Sequence, residues 1–313
     1  MRRSPDLPRY RAVLLSYALT LLACADPARI ASPRDHLEPN ALADKQGTTS
    51  RRILYVAGFP SKVLSINEDG TGAIQLSPPG DWYDADAAWA PDGKRVLFAH
   101  TDQLGALPFA IYAMNADGTG VTRLTDPPTD QDDFSARSFG KRIVFVRSEA
   151  GSGRLWMMDE DGSNLTQLTD GPFDLDPAPS PSGKLVAFVR NNDIYVLDIE
   201  TRALTNLTNS SGQELTPSWS PGGKQIAFAR LDLGQPNADL YVMNADGTEV
   251  TRLTTTPAVP KHSPRWSPDG KRIVFAGAYT GFFGVWLISA DGTGLNNVTR
   301  SDVTSEIPTA WAK

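Results

Sequence analysis

Four carboxylates stand at one fixed distance from a recurring position: Asp84, Asp174, Glu214 and Glu306 each lie five residues before Trp89, Pro179, Trp219 and Trp311. Asp132 and Asp133 fall close to the same place in a degenerate copy of the pattern, and His262 falls near it in another. Repeated units put equivalent residues at equivalent radii. The spacing therefore predicts a ring of carboxylates, five or so, around one opening. Like charges gathered in a low-dielectric cleft attract cations or basic peptides. Two readings stay open. In one, the ring faces a ligand such as a peptide or Ca2+. In the other, each carboxylate caps backbone N–H groups in its own turn.

Other chemistry is sparse. The three His are His36 in the N-terminal segment, His100 at a strand end and His262 just before an inner strand. They share no fixed spacing, so they read as loop residues and not as metal ligands or general bases. The G-x-S-x-G elbow of a hydrolase nucleophile is absent from the sequence. The acidic run Asp159 to Asn164 lacks the spacing and distal Glu of a helix-loop-helix calcium site, and it aligns with hairpin turns elsewhere in the chain. A net charge of −6 argues against nucleic acid as a partner. A single Cys excludes a disulfide framework and a Cys-based zinc site. No catalytic or metal-binding residue is assigned, and the chain reads as a non-enzyme without a cofactor. An ion- or small-ligand-binding protein and a carbohydrate-active lyase or hydrolase are the alternatives.

The single Cys has a place of its own. Arg2, Arg3, Arg9 and Arg11 precede a 12-residue apolar stretch from Ala12 to Ala23, the length of a signal-peptide core and too short to span a bilayer. The sequence Leu21, Leu22, Ala23, Cys24 resembles a bacterial lipobox, which implies a signal peptide over 1–23 and lipidation of Cys24. Residues 24–50 are rich in Pro, Ala, Asp and Ser and show no sustained apolar period, so they read as a flexible tether. Membrane contact is expected only through the lipid. Ala25 after the Cys favours, by resemblance to enterobacterial sorting, an outer-membrane anchor facing the periplasm.

The elements that must position the carboxylates emerge from internal repeats over residues 51–313. One phrase runs Trp266, Ser267, Pro268, Asp269, Gly270, Lys271, Arg272, Ile273, Val274, Phe275, and it has relatives beginning at Trp89 and Trp219 and weaker copies at Pro179 and Ser138. A second phrase, Ile111 to Thr125, returns at Leu155, Ile194, Leu240 and Val285. Gly70, Gly118, Gly162, Gly247 and Gly292 mark one turn column, Thr201 fills the missing copy, and the spacings are 48, 44, 39, 46 and 45 residues. Each unit reads as four short antiparallel strands separated by Pro-Asp-Gly and Asp-Gly turns. A period near 40–45 residues with four strands per unit is that of a propeller blade. The first unit, starting at Arg51, lacks its inner strand, and Glu306 to Trp311 is that strand alone. The expected fold is thus an all-β six-bladed β-propeller of four-stranded antiparallel blades, with the C-terminal strand completing the first blade and the domain monomeric. Aromatic columns, including Trp89, Trp219, Trp266 and Trp311, read as packing between blades.

These phrases resemble the propeller repeat of the TolB family, the periplasmic component of the Tol–Pal envelope system, and more distantly the propellers of prolyl-oligopeptidase-like peptidases and oligogalacturonate lyases. The resemblance covers residues 51–313, without the α/β domain that precedes the TolB propeller. It implies a non-enzymatic scaffold of the bacterial cell envelope that binds protein or peptide partners through the mouth of a central channel. The residues placed at that mouth are Asp84, Asp132, Asp133, Asp174, Glu214, His262 and Glu306.

Overall fold

The repeated β-branched and aromatic runs are too short for helices and are bounded by turn residues with positive φ, so each folds as a strand. A computed structural model describes residues 51–102, 108–149, 151–255, 259–278, 282–299 and 305–312. The expected signal peptide, the tether and Cys24 lie outside the described residues. The described chain forms six four-stranded antiparallel sheets, and no helix occurs among these residues. Blades 1 to 6 carry the inner strands Glu306–Trp311, Tyr83–Trp89, Gln131–Phe139, Asp174–Pro179, Gln213–Trp219 and Lys261–Trp266. Each inner strand touches the inner strands of both neighbouring blades, so the six close a ring around a channel.

Closure is as expected. The last strand pairs Trp311 with Ile53 and Glu306 with Ala57, and Ala312 N–H donates to the Arg52 carbonyl at 2.7 Å. The first blade is thereby built from both ends of the propeller sequence, which removes two open strand edges.

The core lies between blades. Tyr55, Phe98, Phe145, Phe188, Phe228 and Phe275, one per second strand, are all buried. Leu54 and Val63 of blade 1 pack with Val96 and Phe98 of blade 2, and Ile194 of blade 4 packs with Ile226 and Phe228 of blade 5. Burying a Phe contributes about 1.5–3 kcal/mol, so this column is a main term in holding blades together. The Asp-Gly turns lock the same joints. Gly118 has φ of +84°, and a Cβ there would overlap the Leu76 carbonyl oxygen of the preceding blade. In blade 4, where Thr201 replaces the glycine, Arg202 takes the positive φ and its guanidinium donates to the equivalent carbonyl, Leu168 O, at 3.2 Å.

Outer strands are shorter than the Val-Thr-Arg-Leu-Thr pattern suggests, with only Thr122–Arg123 paired in blade 2. The reason is a side-chain substitute for the ladder: Thr125 Oγ1 accepts from Ile111 N–H at 2.9 Å, and Thr169, Thr208, Thr254 and Thr299 repeat that bond.

Candidate functional site

Every inner strand carries a bulge at one position, where its register against the second strand shifts. Five blades place a non-glycine residue with positive φ there: Asp86, Ser135, Asp176, Thr216 and Ser263, with φ between 51° and 55°. Such conformations cost of order 1 kcal/mol each, and they persist where surrounding bonds fix them. Here the bonds run from blade to blade. Ser135 Oγ donates to Asp86 Oδ2 at 3.2 Å, Thr216 N–H to Asp176 Oδ2 at 3.2 Å, and Ser263 N–H to Thr216 Oγ1 at 3.1 Å. Burial and the neighbouring Asp86 carboxylate push the Asp176 carboxyl up, while Arg265 and Arg137 pull it back. These residues form a polar belt along the channel and divide it into two ends.

At the end where inner strands begin stands the predicted carboxylate column, in the predicted register. Asp84, Asp133, Asp174, Glu214 and Glu306 occupy one position in blades 2, 3, 4, 5 and 1. All five are buried. Three meet a basic partner directly across the ladder. Asp84 Oδ1 lies 2.7 Å from His100 Nδ1. Asp133 accepts two bonds from Arg147 at 2.6 and 2.7 Å, and Asp174 accepts two from Arg190 at 2.6 and 2.8 Å. The basic side chains are held from their other side by the third strand's aromatic: His100 lies 4.7 Å from the Tyr112 ring, Arg147 5.1 Å from Trp156 and Arg190 5.7 Å from Tyr195. Each blade from 2 to 4 thus has an acid–base–aromatic row crossing three strands. His100 is a strand residue and not a loop residue; burial is the largest single influence and opposes its charge, but the bonds and charges of Asp84 and Asp102 together outweigh it and raise its pKa.

The row changes in the other blades. In blade 5, Glu214 accepts from Ser210 Oγ at 2.5 Å and from Thr208, while Arg230 stacks 3.9 Å from Tyr241 and pairs with Asp232. Burial pushes the Glu214 carboxyl up. In blade 6 the column position belongs to Lys261, one residue before His262, and its ammonium lies 2.9 Å from Asp239 of blade 5. His262 is one register step away, within the inner strand, packed 4.7 Å from Phe283; burial holds its pKa down at about 4. In blade 1, Glu306 faces Ala57 where a basic residue would stand, Glu306 Oε2 has no hydrogen-bond partner, and burial pushes the carboxyl up to about 7. Asp132 is also outside the column; its carboxylate accepts Phe109 N–H at 2.9 Å.

At the opposite end, where the inner strands finish, lies a funnel of about 360 Å3. Its wall includes Trp89, Trp219, Trp266 and Trp311 with Pro91, Pro181, Pro221 and Pro268 of the Trp-Ser-Pro turns. Among the described residues, Arg137 and Arg265 are its charged lining residues, and no carboxylate lines it. The Trp column does pack between blades, as expected: Trp219 Nε1 donates to Ala178 O at 3.0 Å and Trp311 Nε1 to Arg265 O at 3.1 Å, each on the preceding blade. That packing also builds a concave surface, which a packing-only reading misses. The signal is in the repeat itself, since Pro two residues after Trp89, Trp219 and Trp266 places both on one rim.

A family model described as TolB beta propeller domain matches residues 137–312. A protein TolB homolog of Chlorobaculum tepidum is 31% identical over 121 residues, covering 37% of this chain and 27% of the relative. An uncharacterized protein of Agrobacterium fabrum is 32% identical over 193 residues, covering 52% of this chain and 63% of the relative. The chain thus spans less than two thirds of the length of these curated relatives. The crystal structure of TolB from Acinetobacter baumannii superposes with a TM-score of 0.72 at 22% identity, covering 85% of this chain and 67% of that one, which is a likeness of fold.

Proposed function

The chain belongs to the TolB beta propeller family, and from that premise we propose that it is a non-enzymatic scaffold of the bacterial cell envelope, binding protein or peptide partners at the ends of its channel. A lipid on Cys24 and a tether over 24–50 hold the domain at the outer membrane, facing the periplasm. The observation that supports this reading is the channel wall. Its polar side chains are bonded to one another on strained, fixed backbone, which is a preorganised recognition surface. Among the described residues no group of three or more His, Cys, Asp and Glu is placed to hold a metal ion. The carboxylate column acts here through the blades, by fixing the mouth's shape, and Glu214 and Glu306 are its two members without an ion pair.

Formaldehyde crosslinking of the full-length protein in its native envelope, followed by mass spectrometry, tests the reading. Defined envelope proteins are expected to be captured, and loss of acyl labelling with release from the membrane is expected for Cys24→Ala. Capture at background level, or membrane retention of Cys24→Ala, would count against it. Glu214→Gln with Glu306→Gln is the arm for the acidic end: unchanged capture and unchanged calcium binding leave the column structural.

A further inference from the structure

We propose that His100 and Asp102 form a two-donor surface site for a divalent transition-metal ion of the Zn2+ class, with the buried Asp84 carboxylate behind it orienting the imidazole. This goes beyond the scaffold reading, and neither depends on the other.

Opposite the carboxylate column, the second strands of blades 2 to 5 carry His100, Arg147, Arg190 and Arg230. Of these bases only the histidine can give a lone pair to a metal, since a guanidinium has none to offer. The arginines of blades 3 and 4 spend two nitrogens on their acid. His100 spends one. Its Nδ1 lies 2.7 Å from Asp84 Oδ1. A carboxylate only accepts, so Nδ1 carries the hydrogen and donates it, and in the neutral ring the lone pair is on Nε2. Asp84 is 0% exposed, while the His100 side chain keeps 14% of its surface in contact with solvent. The imidazole is also wedged among rings, with centroids 4.7 Å from Tyr112, 5.9 Å from Trp82 and 6.2 Å from Phe98. Its orientation is thereby set before any ion arrives. A buried carboxylate that accepts one ring N–H while the other nitrogen meets an exposed acid is the arrangement that supports a metal-binding histidine.

That acid is Asp102, with a side chain 71% exposed. His100 and Asp102 stand at i and i+2 where an extended strand ends, so they share one face. Asp102 Oδ1 is 3.3 Å from His100 Nε2. This is long for a charge-assisted hydrogen bond, which runs at about 2.7–2.9 Å. Two donors that each sit about 2.0–2.2 Å from one tetrahedral zinc are about 3.3–3.5 Å apart. Blade 5 supplies the contrast. Asp232, also two residues beyond its base, lies 2.7 Å from Arg230. One blade keeps the acid and base in ion-pair contact, and the other keeps them at the span of a shared ion. An imidazole nitrogen with a carboxylate oxygen suits Zn2+ and its Ni2+ and Cu2+ neighbours, whereas Ca2+ and Mg2+ take oxygen donors. Two protein donors fill half of a tetrahedron. Water takes the remaining positions, which makes this an exchangeable site and not a structural zinc. Asp102, being exposed, has room to close on the ion, and the Asp84 carboxylate balances the charge that the imidazole gains.

The test titrates Zn2+ into the purified protein, free of any histidine tag, by isothermal titration calorimetry, with Ca2+ as the hard-cation probe. Saturable binding of one Zn2+ per chain is expected, with Ca2+ at least ten-fold weaker. His100→Gln and Asp102→Ala are each expected to weaken Zn2+ ten-fold or more. Asp84→Asn, which touches no ion, is expected to weaken it about ten-fold through the orientation of the ring. Asp102→Ala alters an exposed side chain, so it reads the site even if the buried change at Asp84 lowers stability; thermal unfolding verifies that each variant is folded. His36→Gln, in the N-terminal segment, is expected to leave binding unchanged. No saturable Zn2+ binding up to millimolar concentration would overturn the proposal. So would binding unchanged by His100→Gln, by Asp102→Ala or by Asp84→Asn, binding lost with His36→Gln, or Ca2+ bound as tightly as Zn2+. Capture of envelope proteins by a chain that binds no zinc would leave the scaffold reading standing and remove this one.

Discussion

The two ends of one channel are built from the same six strands and treat charge in opposite ways. Where the inner strands begin, acids are plentiful and buried, and in three blades each is neutralised within its own sheet: Asp84 by His100, Asp133 by Arg147, Asp174 by Arg190. Where the strands finish, charge is scarce: Arg137 and Arg265 are held by backbone carbonyls, and four polar atoms of the wall lack partners. A conspicuous column of charges can therefore be part of the scaffold, because in three blades a basic side chain of the same sheet meets each acid.

Three substitutions probe that contrast. Asp174→Ala should have the largest effect. It leaves the half-buried Arg190 without its bidentate partner, a loss of about 3–5 kcal/mol for a broken buried pair. A fall in Tm of roughly 10 °C is expected by calorimetry; a variant as stable as the wild type but with altered capture of envelope proteins would mean that the acidic end is a binding surface. Glu306→Gln should come next, and with a pH signature. The folded carboxyl titrates at about 7, above its ordinary value of 4.5. The native state thus keeps a proton that the unfolded chain has lost, so native stability falls as pH rises from about 4.5 to about 7, and the cost is complete above that window. Gln has no proton to lose. The variant should match the wild type below pH 4 and exceed it at pH 8 by up to about 3 kcal/mol, read as Tm against pH. A pH-independent difference would place Glu306 in contact with solvent. Trp89→Phe should be the mildest in stability, within about 0.5 kcal/mol, because the ring's packing largely remains. It removes a buried donor that has no partner, so no hydrogen bond is lost; a fall in Tm as large as that of Asp174→Ala would show that this indole does more than pack.

The fold was legible because three columns agree. Trp-Ser-Pro turns, buried Phe positions and Asp-Gly turns recur in one period, and Glu306 to Trp311 is the strand that the first unit lacks. The carboxylate column was legible in position but not in meaning. Its partners His100, Arg147, Arg190 and Arg230 stand two residues beyond the Phe column, and antiparallel register places them opposite the acids. Only the two spacings taken together announce ion pairs. His262 illustrates the cost of a single step, since one residue moves a strand side chain to the other face and gives the column position to Lys261. The funnel is less legible still. Its tryptophans serve packing and surface at once, and Arg137 and Arg265 become a pair only when the ring closes and sets blades 3 and 6 across from each other.

The most direct measurement sets the two ends against each other within one blade. A photocrosslinking amino acid is placed at position 221, on the funnel rim, or at position 213, where the same inner strand begins; Pro221 and Gln213 are both exposed. Each full-length protein is then irradiated in its native envelope and its crosslinked products identified by mass spectrometry. Capture of defined envelope proteins from at least one of the two positions is the predicted result. Capture at background level from both would contradict the account.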